Sequence, residues 1–443
     1  MVIATGIIGV DTLWGGDVND FSGTRRLIAD SYFSDYELPP CFFDLVADQL
    51  RESEGVLGTV VSNDDVAAFV AKFEIRKAVE FLASGASALT AAQRKYQTRM
   101  GEALLAMLDL ALSLRGLTAP VPYERLVKAG TGFAPQLFDV SAERAEVTKL
   151  LAEIGDNPDQ YNGDVMAAVD AYRQKRALQK RDIVELNKVF IPELDAGAVK
   201  NILPYLPTDW AEVSRTNVVF KFIEGAHFSG SLNYLGLERE DDGRPKYEAV
   251  YEINADIEIT RAGFEFLVAH EVVPGHVMTT ALIHYAWYSS APGFGIESTI
   301  FPMCSPASTL SEGIGNCGLL LAHGWKSAAE IPDPEMRLNF ILDVLQDYAK
   351  ANISYRLYAA KMAPEEVSRV TRAECFLSAE RAEKLTFAWG GHPLLGQMYL
   401  PAYAVGTNIV GALLEKHGAA KLIPALYGAR GPVDILSLEE LIA

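Results

Sequence analysis

Apolar residues recur every three or four positions over most of the first 190 residues, which is the spacing of one buried face of an α-helix. The segments 66–82 and 97–114 show this spacing most regularly, and 166–187 continues it. Ser62 and Thr90 stand just before such segments, where their side-chain oxygens can cap free backbone N–H groups. The pattern therefore predicts an N-terminal region built almost entirely of helices.

The pattern changes after residue 215. The runs 217–225 and 246–254 are rich in β-branched and aromatic residues, which favour strands. The sequence Asp-Asp-Gly at 241–243, between them, is typical of a turn. These features predict a small antiparallel sheet or hairpin between about 215 and 260.

Helical spacing resumes at about residue 261 and continues to the C-terminus, most clearly in 339–362 and 364–385. The fold class predicted is mainly α, a large helical body with a small antiparallel β-sheet beside the helix that starts near 261. We expect a helical N-terminal lobe, 1–200, and a C-terminal lobe, 201–443, that holds the sheet. Because no Pro/Gly/Ser-rich linker separates them, one continuous body is expected.

Composition narrows the classes of function. The 443 residues are 49% hydrophobic and carry a formal net charge of −19, so their surface repels nucleic acid and anionic membranes. No run approaches the roughly 20 uninterrupted apolar residues of a membrane helix. The four cysteines form no CxxC pair, and the N-terminus lacks the features of a signal peptide. A cytoplasmic protein with no nucleic-acid or membrane partner is therefore expected.

The segment 261–287 holds the most informative residues. Five apolar residues between Phe264 and Ala269 run directly into His270 and Glu271. A helix this apolar is buried on most sides, and burying a histidine beside a glutamate is costly unless something pairs with them. A bound divalent ion removes that cost, because neutral imidazole and carboxylate are natural metal ligands. A hydrogen-bonded cluster without metal is the alternative.

The second histidine of this segment, His276, follows His270 by six residues rather than by the four of the common HExxH motif. On an ideal helix, positions i and i+6 point about 120° apart, so the two imidazoles could not share a metal ion. Pro274 and Gly275 lie between them, and both residue types interrupt helices. We therefore predict a kink or bulge that brings His276 back toward His270.

A third ligand is expected from another element, and Glu312 is the best candidate. Ser305 and Pro306 mark a helix start that places Glu312 in the second turn. The glycines at 313, 315 and 318 would let this helix approach the first one closely. Two histidines and one glutamate leave a fourth position open for water, which is the catalytic zinc pattern. Glu271 would then be the general base.

The string HEVVPGH at 270–276 resembles the HExxPGH signature of a bacterial family, the domain of unknown function numbered 885, which is similar to the gluzincin zinc metallopeptidases. The resemblance covers roughly 215–410. It implies His270, His276 and Glu312 as ligands of one Zn²⁺ ion and Glu271 as the base. It also implies a late tyrosine, Tyr403, as hydrogen-bond donor to the developing oxyanion.

The sequence also departs from that family pattern. Residues 314–317, Ile-Gly-Asn-Cys, replace the usual aromatic residue and later acid that follow the Glu-Gly pair. The spacing before Tyr403 is about two residues longer than usual, so Tyr399 competes for the same role. These departures concern the substrate pocket and the tyrosine more than the metal.

Further residues are candidates for the substrate pocket: Asn254 at the end of the second strand-like run, His227 and His392. For the two histidines, ordinary loop positions are the alternative. Cys317 could serve as a soft metal ligand near Glu312, although buried free cysteines are common.

We therefore expect a zinc-dependent hydrolase, a metallopeptidase that cleaves peptide bonds through a metal-activated water. One alternative is a non-catalytic helical protein that binds a peptide or ligand and keeps a vestigial metal site. Another is a metal-dependent amidohydrolase acting on small non-peptide amides.

Overall fold

The computed structural model describes residues 2–14, 16–17, 20–21, 62–224, 230–234, 240–241, 245–254, 258–299 and 302–443. The fold is mainly α, as predicted. The N-terminal elements are α1 (Val2–Trp14), the short pair β1 (Gly16–Asp17) and β2 (Asp20–Phe21), α2 (Asn63–Lys72), α3 (Ile75–Ala83), α4 (Ala91–Leu114), α5 (Tyr123–Thr131), α6 (Ser141–Glu153), α7 (Val165–Arg176) and α8 (Lys180–Asn201).

Both predicted helix caps are present. The Ser62 side chain accepts a hydrogen bond from the backbone N–H of Asp65 at the start of α2. Thr90 does the same for the backbone N–H of Gln93 at the start of α4. These bonds satisfy backbone donors that have no partner inside the helix.

Helices also make up most of the C-terminal region. Three short π-helical segments interrupt it, at Tyr355–Ala359, Lys384–Trp389 and Leu395–Tyr399. Its α-helices are α9 (Arg261–Glu271), α10 (His276–Tyr288), α11 (Pro306–Asn316), α12 (Gly318–His323), α13 (Pro334–Ser354), α14 (Pro364–Cys375), α15 (Ala379–Glu383), α16 (Leu400–His417), α17 (Ala419–Leu426) and α18 (Leu438–Ile442).

The larger sheet has three strands, β3 (Val218–Ile223), β4 (Gly230–Tyr234) and β5 (Ala249–Asn254), in the order β3-β5-β4. Strand β5 is antiparallel to β4 but parallel to β3. The antiparallel pairing predicted for the runs 217–225 and 246–254 is therefore wrong. The reason is the extra strand β4, which pairs antiparallel with β5 and leaves β3 on the opposite edge.

Helices α11 and α16 pack closely, and this contact positions the candidate site. A Cβ atom at Gly313 would lie only 2.6 Å from the Gly406 carbonyl oxygen, and one at Gly406 would lie 2.3 Å from the Thr309 carbonyl oxygen. Helix α13 packs on α16 as well. The main hydrophobic core draws side chains from both predicted lobes, from Ile7 in α1 to Ile442 in α18.

Among the described residues, one helical stretch, 261–288, has the length and hydropathy to cross a membrane, and 83% of its apolar window is buried inside the fold. Burial to that extent is typical of a core helix. The stretch comprises α9 and α10, which carry His270 and His276.

Candidate metal centre

The interruption predicted at Pro274 and Gly275 is a complete break between two helices. Helix α9 ends at Glu271, and α10 begins at His276. A Cβ atom at Gly275 would lie 1.6 Å from the His270 carbonyl oxygen, so only glycine fits at this position. The Tyr427 hydroxyl donates a hydrogen bond of 2.8 Å to the Pro274 carbonyl oxygen and holds the turn from outside.

This turn brings the two imidazoles together. The ring centroids of His270 and His276 are 4.6 Å apart, and the ring planes are nearly perpendicular, at 85°. One ligand atom from each of His270, Glu271 and His276 lies within 4.8 Å of the others. Glu312 reaches the same place, with Oε2 at 3.5 Å from His270 Nε2 and Oε1 at 3.9 Å from His276 Nε2. The structure thus places all four residues of the predicted constellation side by side.

These side chains fit a zinc ion. Two ligand atoms about 2.0–2.1 Å from tetrahedral zinc lie about 3.4 Å from each other, close to the separations of Glu312 from the two imidazoles. The Glu312 Oε2 atom is buried and has no hydrogen-bond partner among the described residues. A buried carboxylate oxygen without a partner is costly, and a cation at this position would satisfy it.

Each candidate ligand also has a supporting contact with a neighbouring residue. The Ser311 hydroxyl is hydrogen-bonded to His276 Nδ1 at 2.9 Å. The Tyr399 hydroxyl donates to Glu312 Oε1 at 2.5 Å. The His270 ring lies against Gly315, where a Cβ atom would come within 2.8 Å of Nδ1. Such supporting contacts orient metal ligands and tune their affinity.

Burial dominates the electrostatics of the site. It lowers the pKa of His270 well below the usual histidine value and that of His276 to about 4, so both imidazoles are neutral near pH 7. Burial, together with the nearby Glu312 charge, raises the pKa of Glu271 to about 8. Burial likewise raises the pKa of Glu312 to about 7. Neutral imidazoles are ready to bind a cation, and the costly carboxylate charges are those that a cation would stabilise.

A cavity of about 290 Å³ opens beside these residues, and His270, Glu271 and Tyr403 form part of its wall. Glu312, which is 5% exposed, and His276 are not among the lining residues. Glu271 therefore borders the cavity, whereas Glu312 is enclosed by the protein.

The cavity also contains charged residues that the sequence analysis missed. Lys350 lies with its Nζ atom 3.2 Å from the centroid of the Tyr403 ring and 3.0 Å from Asp347 Oδ1. Asp347 in turn accepts hydrogen bonds from Asn316 and Thr407. The sequence contained a signal for these residues. Positions 343, 347 and 350 are acidic, acidic and basic at helical spacing, so they lie on one face of α13, and this face lines the cavity.

The two tyrosines that competed for one role have different positions. The Tyr399 hydroxyl donates a hydrogen bond directly to Glu312, and the Tyr403 hydroxyl donates a hydrogen bond of 3.2 Å to the Tyr399 hydroxyl. Tyr403, and not Tyr399, is among the cavity residues. The structure thus assigns Tyr399 to the ligand and Tyr403 to the cavity.

The other site residues predicted from the sequence differ in where they lie. Asn254, 1% exposed at the end of β5, lines the cavity. The His392 ring accepts backbone hydrogen bonds from Leu394 and Leu395, and it is not among the cavity residues. The Cys317 sulfur approaches the Thr407 carbonyl oxygen at 3.9 Å, as a buried free cysteine. His227 lies outside the described residues.

No protein-family model matches the sequence, and no curated protein matches it. Its fold is similar to two solved structures. A "putative lipoprotein" from Colwellia psychrerythraea has a TM-score of 0.52 and 13% identity, with 86% of this chain and 73% of that chain covered. A "putative lipoprotein of unknown function" from Shewanella oneidensis has a TM-score of 0.50 and 14% identity, with 90% and 77% covered. At these identities the similarity shows the fold alone.

Proposed function

We propose that the protein is a zinc-dependent hydrolase that cleaves peptide bonds, of the kind the HExxPGH family resemblance implies. One observation carries the proposal. Two neutral imidazoles, one buried and one partly buried, converge on a carboxylate that has a buried oxygen without a partner, and His270 borders a cavity large enough for a small ligand. His270, His276 and Glu312 would hold the ion.

Zinc bound at such a site supplies Lewis-acid activation of water and of a substrate carbonyl. The chain's own residues supply the rest of the chemistry. Glu271 is the proposed base, which would accept a proton from water and pass it to the leaving amine. Its position next to both histidines and on the cavity wall keeps it within reach of a bound substrate.

Tyr403 is the proposed donor to the developing oxyanion. Its ring is held by Lys350, and its hydroxyl is held by Tyr399. The Tyr403 hydroxyl donates to Tyr399 in the absence of substrate, so its O–H would turn from Tyr399 toward the oxyanion during the reaction. Asn254, at the end of β5 on the cavity wall, would contact the backbone of the substrate; β5 itself lies between β3 and β4 and has no free edge for a peptide.

Two other functions use the same residues. A metal-dependent amidohydrolase acting on small non-peptide amides would need the same base and ligands but a different cavity lining. A ligand-binding protein with a vestigial site would bind metal without turnover. The position of Glu271, beside both histidines and on the cavity wall, favours an enzyme, because a general base has to reach both the metal site and the substrate.

The test is hydrolysis by the zinc-loaded protein and by its Glu271→Gln variant, assayed with a broad library of short peptides. We expect turnover to be lost in the variant while one zinc ion per chain is still bound. Glu265→Gln on the same helix is the matched control, because Glu265 is paired with His323 outside the cavity, and it should keep its activity. Equal turnover by Glu271→Gln and Glu265→Gln would contradict the proposal.

A further inference from the structure

The cavity beside the candidate metal centre contains four basic side chains, and three of them have partners. Lys350 is 3.0 Å from Asp347, and Lys384 is 2.7 Å from Glu380. Arg173 donates to the Phe376 carbonyl oxygen at 2.6 Å and lies 3.7 Å from Asp170. The fourth, Arg381, has no carboxylate within 4.0 Å among the described residues.

Arg381 is held in place although it has no ion pair. Its Nε atom donates a hydrogen bond of 2.8 Å to the Gln346 side-chain oxygen. Its backbone N–H is bonded to the Ser378 hydroxyl at the start of α15. The Nε contact restrains the guanidinium, and neither Nη group has a hydrogen-bond partner among the described residues.

A guanidinium held in a half-buried cavity is stabilised by a bound anion. Removing a charge from water is costly unless a partner replaces the lost solvation, and the planar fork of arginine fits a carboxylate through two parallel hydrogen bonds. Asp343 in the same cavity does not supply that partner. It lies outside ion-pair distance, and burial raises the pKa of its carboxyl to about 7, so it is partly neutral near pH 7.

We propose that Arg381 binds a free carboxylate of the substrate, so that the enzyme acts on peptides close to their C-terminal end. The inference rests on the proposed function for the cleavage step but not for the binding step. Arg381 and Tyr403 line the same cavity as His270 and Glu271, which places the carboxylate site and the candidate reaction centre in one cavity.

The rest of the wall indicates which residue would precede that carboxylate. Apolar side chains surround the charged groups, and they would accept an apolar C-terminal side chain. They are Phe266, Leu267, Leu342, Leu377, Leu385 and Trp389.

The experiment measures binding before cleavage. N-acetylated dipeptides ending in phenylalanine or leucine are prepared as free acids and as C-terminal amides. Their dissociation constants are measured by calorimetry on the metal-free, full-length protein, where no metal ion can bind the carboxylate. Because hydrogen bonds to a charged group contribute about 1.5–3 kcal/mol, we expect the acids to bind at least about 10-fold more tightly than the amides.

The Arg381→Met variant should bind acid and amide equally, within about 2-fold. The matched control is Lys384→Met, which removes a positive charge from the same wall but one that Glu380 already neutralises; it should keep most of the preference for the acid. Arg381→Lys keeps the charge without the fork, so it should lower the preference, and it serves if Arg381→Met does not fold. No preference for the acid in the wild type, or the same preference in the Arg381 variants, would overturn the inference.

Hydrolysis by the zinc-loaded protein then separates the two proposals. Release of C-terminal residues from the acids, with at least about 10-fold slower cleavage of the amides, supports both. Equal cleavage of acids and amides would overturn the carboxylate site and leave the hydrolase intact. Tight binding of the acids without cleavage of any peptide would overturn the hydrolase and leave the carboxylate site intact.

Discussion

Replacing Gly315 with alanine is expected to displace one metal ligand while keeping its chemistry. The added Cβ would lie 2.8 Å from Nδ1, 2.9 Å from Cε1 and 3.0 Å from Cγ of His270, whereas ordinary contact begins at 3.4 Å. The imidazole must therefore retreat by about 0.6 Å, more than the roughly 0.5 Å tolerance of a functional site. Disturbing the support of a ligand typically lowers metal affinity about 10–100-fold, which is about 1.4–2.8 kcal/mol. We expect zinc affinity to fall by that amount.

The matched control is Gly411→Ala in α16, where the nearest atom to an added Cβ is the Cys317 sulfur at 4.0 Å. Zinc affinity would be measured by competition with a chelator, and stability by urea unfolding of the metal-free proteins. Overpacking should destabilise Gly315→Ala by about 1–3 kcal/mol, whereas Gly411→Ala should gain up to about 1 kcal/mol from its better helix propensity. If both variants bound zinc as tightly as the wild type, the packing of His270 on Gly315 would not position the ligand.

Four further predictions concern the surroundings of the site. Tyr399→Phe should weaken zinc binding about 10-fold, because it removes the hydrogen bond that orients Glu312, and chelator competition checks this. Tyr403→Phe should keep zinc affinity but lower kcat about 100-fold or more in steady-state assays, and the reverse pattern for the two variants would contradict their assignment. Tyr427→Phe should cost about 1–3 kcal/mol in urea unfolding, because the buried Pro274 carbonyl loses its donor; unchanged stability would show that the bond is dispensable. In the metal-free folded protein, burial raises the pKa of Glu312 to about 7, whereas in the unfolded chain this group loses its proton near pH 4.5. The folded state therefore binds one more proton between these values, and the free energy of unfolding should fall from pH 5 to pH 7 relative to that of Glu312→Gln. Identical pH profiles of the two proteins in urea unfolding would argue against a buried carboxyl.

The sequence predicted the helices well where the local signals agreed. The caps at Ser62 and Thr90 and the break at Pro274 and Gly275 depend on neighbouring residues and on backbone conformations that those residue types favour. These features depend on a few adjacent residues, so they could be predicted without knowing how distant segments pack.

The strand pairing failed for a different reason. Two strand-like runs and a turn signal fit a hairpin, but β4 inserts beside β5 and makes its pairing with β3 parallel. Strand order depends on contacts between distant segments, which the spacing of hydrophobic residues does not encode.

The candidate site shows the same division. Residues in one short motif, His270, Glu271 and His276, could be named because their spacing carries the chemistry. Arg381 could not, since its helix resembles an ordinary amphipathic one, and the charged spacing that includes Lys350 does not by itself show that this face borders a cavity. Their position beside the candidate metal centre is visible only in the cavity that α13 and α15 share with it.

The central claim is that one cation is held between α9, α10 and α11. X-ray diffraction of zinc-loaded crystals at the zinc absorption edge tests it most directly. We predict a single anomalous peak bonded to Nε2 of His270, Nε2 of His276 and the carboxylate of Glu312. A structure without a peak there, or with zinc bound elsewhere while the two imidazoles hydrogen-bond to Glu312, would contradict it.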